Sequence, residues 1–199
     1  MTVYDEIAQS WHSFKRKPFP LIVGELAKEW KGSILDVGCG NGRNLLAFDG
    51  ELVGVDNSNE MITIAREHAH TSGKKAVFLV ADATKLPFKD AHFDHVLCVA
   101  MLHHLPLDRQ TIALHDMRRV LKPGGTLLVT VWNKWQRRFV FGPTEQMVPW
   151  TTKGKTFERY YYMHNYFSLR KLLRTAGFGI ERIECMLGPN VIAVVSRNA

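Results

Sequence analysis

The chain has 199 residues, 46% of them hydrophobic, and a formal charge of +7. That is enough for one α/β unit with a real core, and no run approaches the ~18 apolar residues of a membrane-spanning helix. Cys39, Cys98 and Cys185 are odd in number and form no C-x-x-C pair, which argues against a disulfide framework or a metal site and for buried thiols in a reducing cytoplasm.

The opening Met-Thr-Val-Tyr-Asp-Glu lacks the basic and apolar regions of a signal peptide, so a cytoplasmic location is expected. Residues 3–12 read as a short helix, and Pro18 and Pro20 then enforce an extended turn. Residues 20–30 read as a second helix, with Leu21, Ile22, Leu26 and Trp30 on one face. Residues 1–32 are therefore expected to form a helical cover over the mouth of a ligand site, with Tyr4, Arg16 and Lys17 available to a substrate.

Residues 33–43, Ser-Ile-Leu-Asp-Val-Gly-Cys-Gly-Asn-Gly-Arg, organise the rest of the chain. Ile34, Leu35 and Val37 form a buried strand, Asp36 lies near its carboxyl end, and Gly38, Gly40 and Gly42 leave room for a ligand against the main chain before a helix begins near Arg43. Twenty positions after Asp36, the run Leu52-Val53-Gly54-Val55 ends in Asp56, well placed for ribose hydroxyls. A dinucleotide fingerprint directs a helix N-terminus at a pyrophosphate. Here a carboxylate precedes the glycines, which repels pyrophosphate and attracts an ammonium. The ligand implied has a cationic amino-acid part and a nucleoside part, as S-adenosylmethionine does. Asp36, Gly38, Gly40, Asn41, Asp56 and Asn57 are its candidate contacts.

Asn57-Ser58-Asn59-Glu60 starts a helix with a capping-box pattern, burying Met61, Ile62, Ala65 and Ala69. Residues 76–80 form a third strand, followed by Asp82 and Ala83, where a polar group can meet an adenine edge. Residues 93–100 form a fourth strand whose apolar run is nearly continuous and ends at Ala100, and His103 and His104 follow it where open α/β sheets bind ligands. His104 is expected to face substrate and His103 to be structural. Residues 107–121 form a helix with Ile112, Met117, Val120 and Leu121 inward, closed by Lys122-Pro123-Gly124-Gly125. Residues 126–132 form the fifth strand, with Trp132 at its ligand end.

Residues 134–174 carry nine Lys or Arg against two acids, while the remainder holds 17 of each, so the whole positive excess lies in this stretch. It is also rich in aromatics, among them Trp150, Tyr160 and Tyr161, a mixture suited to nucleic acid. Residues 134–166 are read as an insertion or lid within a single unit spanning 1–199. A last helix over 168–176, capped by Gly177, and two alternating strands around Gly188-Pro189 complete a seven-stranded, mostly parallel Rossmann-like sheet with a C-terminal antiparallel hairpin and helices on both faces.

Asp36 to Gly42, Asp56, Asp82 and Leu121-Lys122-Pro123-Gly124-Gly125 resemble the class I S-adenosylmethionine-dependent methyltransferases over about residues 33–131. The flanks, Val3-Tyr4-Asp5-Glu6-Ile7-Ala8, Lys17-Pro18-Phe19-Pro20, Met147-Val148-Pro149-Trp150 and Arg159-Tyr160-Tyr161, resemble the tRNA wobble-uridine carboxyl methyltransferases. Phe19 stands where that family has Trp, and Tyr162 where it often has His. The resemblance implies methyl transfer to the carboxylate of a 5-carboxymethyluridine. A carboxylate with a pKa near ~4 is already a nucleophile, so the site has only to position it. Arg16 or Arg159 would hold the anion, Trp132 or Tyr160 would stack on the uridine, and His104 would flank them. The resemblance also implies a small zinc-ribbon activator subunit, for which the edge strand 76–80 offers a surface. Two rival readings are a small-molecule methyltransferase, which leaves the confined charge unexplained, and a non-catalytic RNA-binding protein, against which the two cofactor acids speak.

Overall fold

The computed structural model describes residues 2–14, 17–19, 22–184 and 188–198. Seven strands form one sheet: β1 (Ser33–Val37), β2 (Glu51–Asp56), β3 (Val77–Val80), β4 (Phe93–Val99), β5 (Leu121–Trp132), β8 (Phe178–Glu184) and β9 (Asn190–Arg197), in the order β3-β2-β1-β4-β5-β9-β8. The first five are parallel, and β9 runs antiparallel to both β5 and β8. The mixed sheet expected from the apolar runs is thus observed, with β3, Val77–Val80 against the expected 76–80, at its edge. The strand order reverses between β1 and β4, and such a switch point opens a crevice at the carboxyl ends of the strands.

Both faces of the sheet are covered. One carries α4 (Leu107–Val120) and α5 (Tyr166–Thr175), whose Leu114, Met117, Leu169 and Leu173 pack on Leu35, Val96 and Leu127. The other carries α2 (Ile22–Glu29) and α3 (Asn59–Thr71), whose Val23, Leu26, Ile62 and Ala65 pack on Ile34, Leu97 and Leu128. No helix among the described residues is long and apolar enough to cross a membrane.

Four local expectations are corrected. No α-helix begins near Arg43: a 3-10 turn covers Leu45–Ala47. Leu45, Leu46 and Phe48 are all buried, a wider arc than one helix stripe supplies. Ile112 is half exposed rather than inward, and the fully buried polar residue on α4 is Gln110, which bonds the His164 ring at 2.8 Å. The Lys122-Pro123-Gly124-Gly125 segment belongs to β5 instead of forming a separate turn. Ser58 caps α3 through the Met61 amide, but the reciprocal partner of a capping box is absent there; a full box is found at Asn165 and Ser168 on α5.

The N-terminal cover is α1 (Val3–Phe14), which packs on α3. Its Asp5 accepts a 2.6 Å bond from Ser58 Oγ and so reinforces the α3 cap. The basic, aromatic insertion is a loop followed by a two-stranded hairpin, β6 (Glu145–Thr152) and β7 (Lys155–Tyr162). Lys153 and Gly154 both have positive φ, at 48° and 72°, the conformation of a tight hairpin turn.

Candidate active site

A cavity of about 590 Å³ opens at the carboxyl ends of β1, β2, β4 and β5. Its floor is the glycine loop with Val55, Asp56, Val99 and Ala100; Tyr4 and Trp11 of α1 and Trp150, Arg159 and Tyr161 of the hairpin form its roof.

The floor is fixed by main chain. The Gly38 and Cys39 amides donate to Val55 O at 2.8 and 2.9 Å, and the Gly40 amide donates to Asp56 Oδ2 at 2.9 Å. Gly38 has φ +73°, and a Cβ there would lie 2.1 Å from Met101 Cγ, so a side chain is excluded where the wall must stay close and flat. Ala100 holds φ +54° through bonds from its amide to Thr130 O and Oγ1, at 3.0 and 2.9 Å. Such strain in a non-glycine residue costs ~1–3 kcal/mol and clusters at ligand sites. Asp56 also accepts the Ser58 amide at 3.0 Å; burial pushes its carboxyl up while these amide bonds pull it down. Each of its oxygens keeps lone-pair capacity for a ligand hydroxyl.

Asp36 is fully buried, and neither of its oxygens has a hydrogen-bond partner among the described residues. Burial raises its carboxyl pKa to about 7, with Asp56 adding to the rise and Arg43 opposing it. An orphaned buried carboxyl is unfavourable alone and calls for a cation. Of the buried polar atoms without a partner among the described residues, those of Tyr4, Asp36, Arg43 and Arg159 are at the cavity or immediately behind its wall, and the Tyr160 hydroxyl lies outside it.

The roof is cationic and aromatic. Arg159 is only 6% exposed; its guanidinium lies 4.9 Å from the Trp150 ring centroid and 5.3 Å from that of Tyr161, and its Nε has no hydrogen-bond partner among the described residues. Trp150 Nε1 donates to Ser10 Oγ of α1 at 2.9 Å, joining the two halves of the roof. Between roof and floor sit two neutral histidines. Burial lowers His104 to about 4, with Arg159 reinforcing that shift, and holds His103 well below its ordinary value. The Trp132 amide donates to His103 Nδ1 at 3.3 Å, so His103 carries its proton on Nε2. His104 Nδ1 meets Tyr160 O at 3.1 Å and must donate, which leaves its Nε2 an acceptor.

Of the residues singled out from sequence, Gly38, Gly40, Asp56, Asn57, Asp82, Ala83, Ala100, His104, Trp132 and Arg159 line the cavity. Asp36 stands behind the wall instead of in it. Asn41 does not line the cavity either: it is buried as a strut, its Nδ2 donating to His12 Nδ1 at 2.9 Å and its carbonyl accepting from His68 Nδ1 at 3.0 Å. Tyr160 is turned away, because Arg159 and Tyr161 share the inward side of β7, and Tyr161 occupies the position expected of it. Asp82 holds Arg109 at 2.7 Å on the exposed rim. Arg16 lies outside the described residues. His103, expected to be structural, lines the cavity as well. Sequence reasoning missed Tyr161, Trp150 and Arg43 as wall residues; the Lys153-Gly154 turn fixes the inward parity of the hairpin and was the available signal.

A family model described as "Methyltransferase domain" matches residues 35–129. The chain is 33% identical to a putative methyltransferase of Encephalitozoon cuniculi over 187 residues, covering 89% of this chain and 85% of that one. It is 37% identical over 133 residues to the tRNA (carboxymethyluridine(34)-5-O)-methyltransferase of Xenopus tropicalis, covering 65% of this chain but 20% of that protein, so the chain spans about a fifth of the latter's length. A solved complex between a Haloferax volcanii methyltransferase activator and a putative methyltransferase superposes with a TM-score of 0.68 at 20% identity, covering 99% of this chain and 96% of the matched one, a likeness of fold.

Proposed function

Because this chain belongs to the S-adenosylmethionine-dependent methyltransferase family, we propose that it methylates tRNA, at the carboxylate of a 5-carboxymethyluridine in the wobble position. The observation that carries the reading is Arg159, a buried guanidinium that makes no ion pair among the described residues and faces a cavity whose opposite wall is acidic. An unpaired buried cation favours an anionic acceptor, and the relative named for carboxymethyluridine supplies one.

The residues fit the cofactor. The orphaned Asp36 favours a cation, the side-chain-free wall at Gly38 leaves room for a ligand, and Asp56 offers lone pairs to ribose hydroxyls. Gly38, Gly40, Asp56, Asn57, Ala83 and Ala100 would hold it. Bound there, S-adenosylmethionine supplies a methyl group on a positively charged sulfur. Arg159 would hold the acceptor carboxylate in line, through a bidentate pair. Trp132, Tyr161 and Trp150 would enclose the planar base and exclude water. The carboxylate needs no deprotonation, and the neutral state of His103 and His104 fits positioning through hydrogen bonds better than proton transfer.

Transfer of labelled methyl from the cofactor to bulk tRNA tests the proposal. The label should leave as methanol under mild alkali, the behaviour of a methyl ester. Label accepted by small carboxylic acids and not by tRNA would replace this reading with the small-molecule one. The proposed activator is a second chain, a zinc ribbon, pairing with β3, whose Val77 and Val80 are exposed at 55% and 47% on the sheet edge. Val77→Lys should abolish copurification with such a partner while leaving the thermal midpoint unchanged. Full activity from a partner-free monomer would remove the activator from the proposal.

A further inference from the structure

The described residues include three largely exposed phenylalanines: Phe14 at 76%, Phe141 at 98% and Phe167 at 62%. An exposed apolar side chain is ordinary by itself. Phe14 differs because it joins a run of planar groups that passes through the cavity roof, and Phe141 because it lies two residues beyond Phe139, the last ring of that run. Phe14 meets Trp150 edge-on at 5.9 Å, and Arg159 bridges Trp150 and Tyr161. Tyr161 packs on Trp132 at 4.4 Å and Trp132 on Phe139 at 5.6 Å. Arg138 lies 5.2 Å from the Phe139 ring centroid, and Phe141 follows on the turn closed by the Gly142 amide and Phe139 O. The middle of this track is buried in the cavity and its two ends are bare. Arg137 and Arg138 are exposed at one end, within the stretch that holds the whole positive excess.

Planar faces interspersed with cations along one chain of contacts suit a single nucleic-acid strand, which offers a base and a phosphate at each step. A protein seated on the rim would have no use for the buried middle. Placing one nucleotide in the cavity unstacks it from both neighbours, which is unfavourable unless those bases find new faces. We propose, on the reading that tRNA is the acceptor, that the nucleotide entering the cavity turns out of its strand and that its two neighbours stack on Phe14 and Phe141.

The test uses the full chain and a fluorescent anticodon stem-loop. Phe14→Ala and Phe141→Ala should each weaken binding about tenfold and raise KM for RNA at little changed kcat. Phe14→Trp and Phe141→Trp should bind as wild type, because they keep a stacking face. Phe167→Ala, off the track, should have no effect. An abasic site on one side of the reacting uridine should cancel the effect of one substitution and not the other. If both alanine variants bind and methylate the RNA as wild type does, the stacking assignment is wrong and the tRNA reading stands. If the wild-type protein, alone and with the proposed zinc-ribbon partner, neither binds nor methylates the RNA, both are wrong.

Discussion

In the floor of the cavity, three consecutive amides of the glycine loop are tied to Val55 and Asp56, and those residues end a strand buried in the sheet. In the roof, Trp150, Arg159 and Tyr161 reach the rest of the chain through side chains: an indole bond to Ser10, ring contacts with Trp132 and His104, and Arg159 between two rings. The floor is acidic and the roof basic. Main-chain geometry is set by the fold and tolerates little change, whereas a roof of side chains can be altered one residue at a time. On the proposed function, selectivity for the cofactor would belong to the fold, and selectivity for the acceptor to the insertion between β5 and α5.

Substitutions that separate the two walls sharpen this comparison. The largest effect is expected at Arg159. Arg159→Ala should lower kcat/KM for the acceptor by roughly 10²–10³, the scale of losing one charge-stabilising group, while calorimetric affinity for the cofactor stays the same. Arg159→Lys should recover part of the loss. An equal fall in cofactor affinity would mean that the two walls are not independent. Next comes Asp56→Ala, which should weaken cofactor binding by about 1.5–3 kcal/mol through lost charged hydrogen bonds, with turnover restored at saturating cofactor. Unchanged affinity would remove Asp56 from the site.

The third test is a pH profile. The Asp36 carboxyl of the free protein titrates at about 7, and a cationic ligand lowers that value. Below pH 7 the acid is protonated and must release its proton on binding. Cofactor affinity should therefore fall with falling pH, by at most about tenfold per unit, and level off above pH 7. Asp36→Asn should flatten the profile, whereas a wild-type profile flat between pH 5 and 8 would disprove the assignment. The smallest effect concerns the tie between α1 and the hairpin. Ser10→Ala leaves Trp150 Nε1 without its partner and should cost ~0.5–1.5 kcal/mol of roof closure, read as a rise in KM for the acceptor.

The floor was largely legible in the sequence because it is local. Asp36, the three glycines and Asp56 belong to one strand-turn-strand unit, and glycine at those positions has a backbone meaning. Asn41 was misread because its role depends on His12 and His68, one from α1 and one from α3, on either side of the unit. Ile112 was misread because the buried position on α4 is taken by Gln110, satisfied by His164 across 54 residues of chain. The roof was legible in composition and not in parity. The basic and aromatic character of residues 134–174 is plain, but which of Arg159, Tyr160 and Tyr161 face inward depends on strand alternation, and a one-residue error exchanges the set.

The ties of α1 have a consequence for how the site can be watched. Asp5 bonds the cap of α3, His12 bonds the glycine loop, Ser10 holds the hairpin, and Tyr4 and Trp11 complete the cavity wall. The segment next to the chain's beginning thus ties together α3, the glycine loop and the hairpin around the chamber. A ligand that rests on Tyr4 and Trp11 adds its own binding energy to the docking of that segment. Local opening of α1 should then be linked to occupancy, and protease cleavage within α1 should slow, like a clock, as the chamber fills.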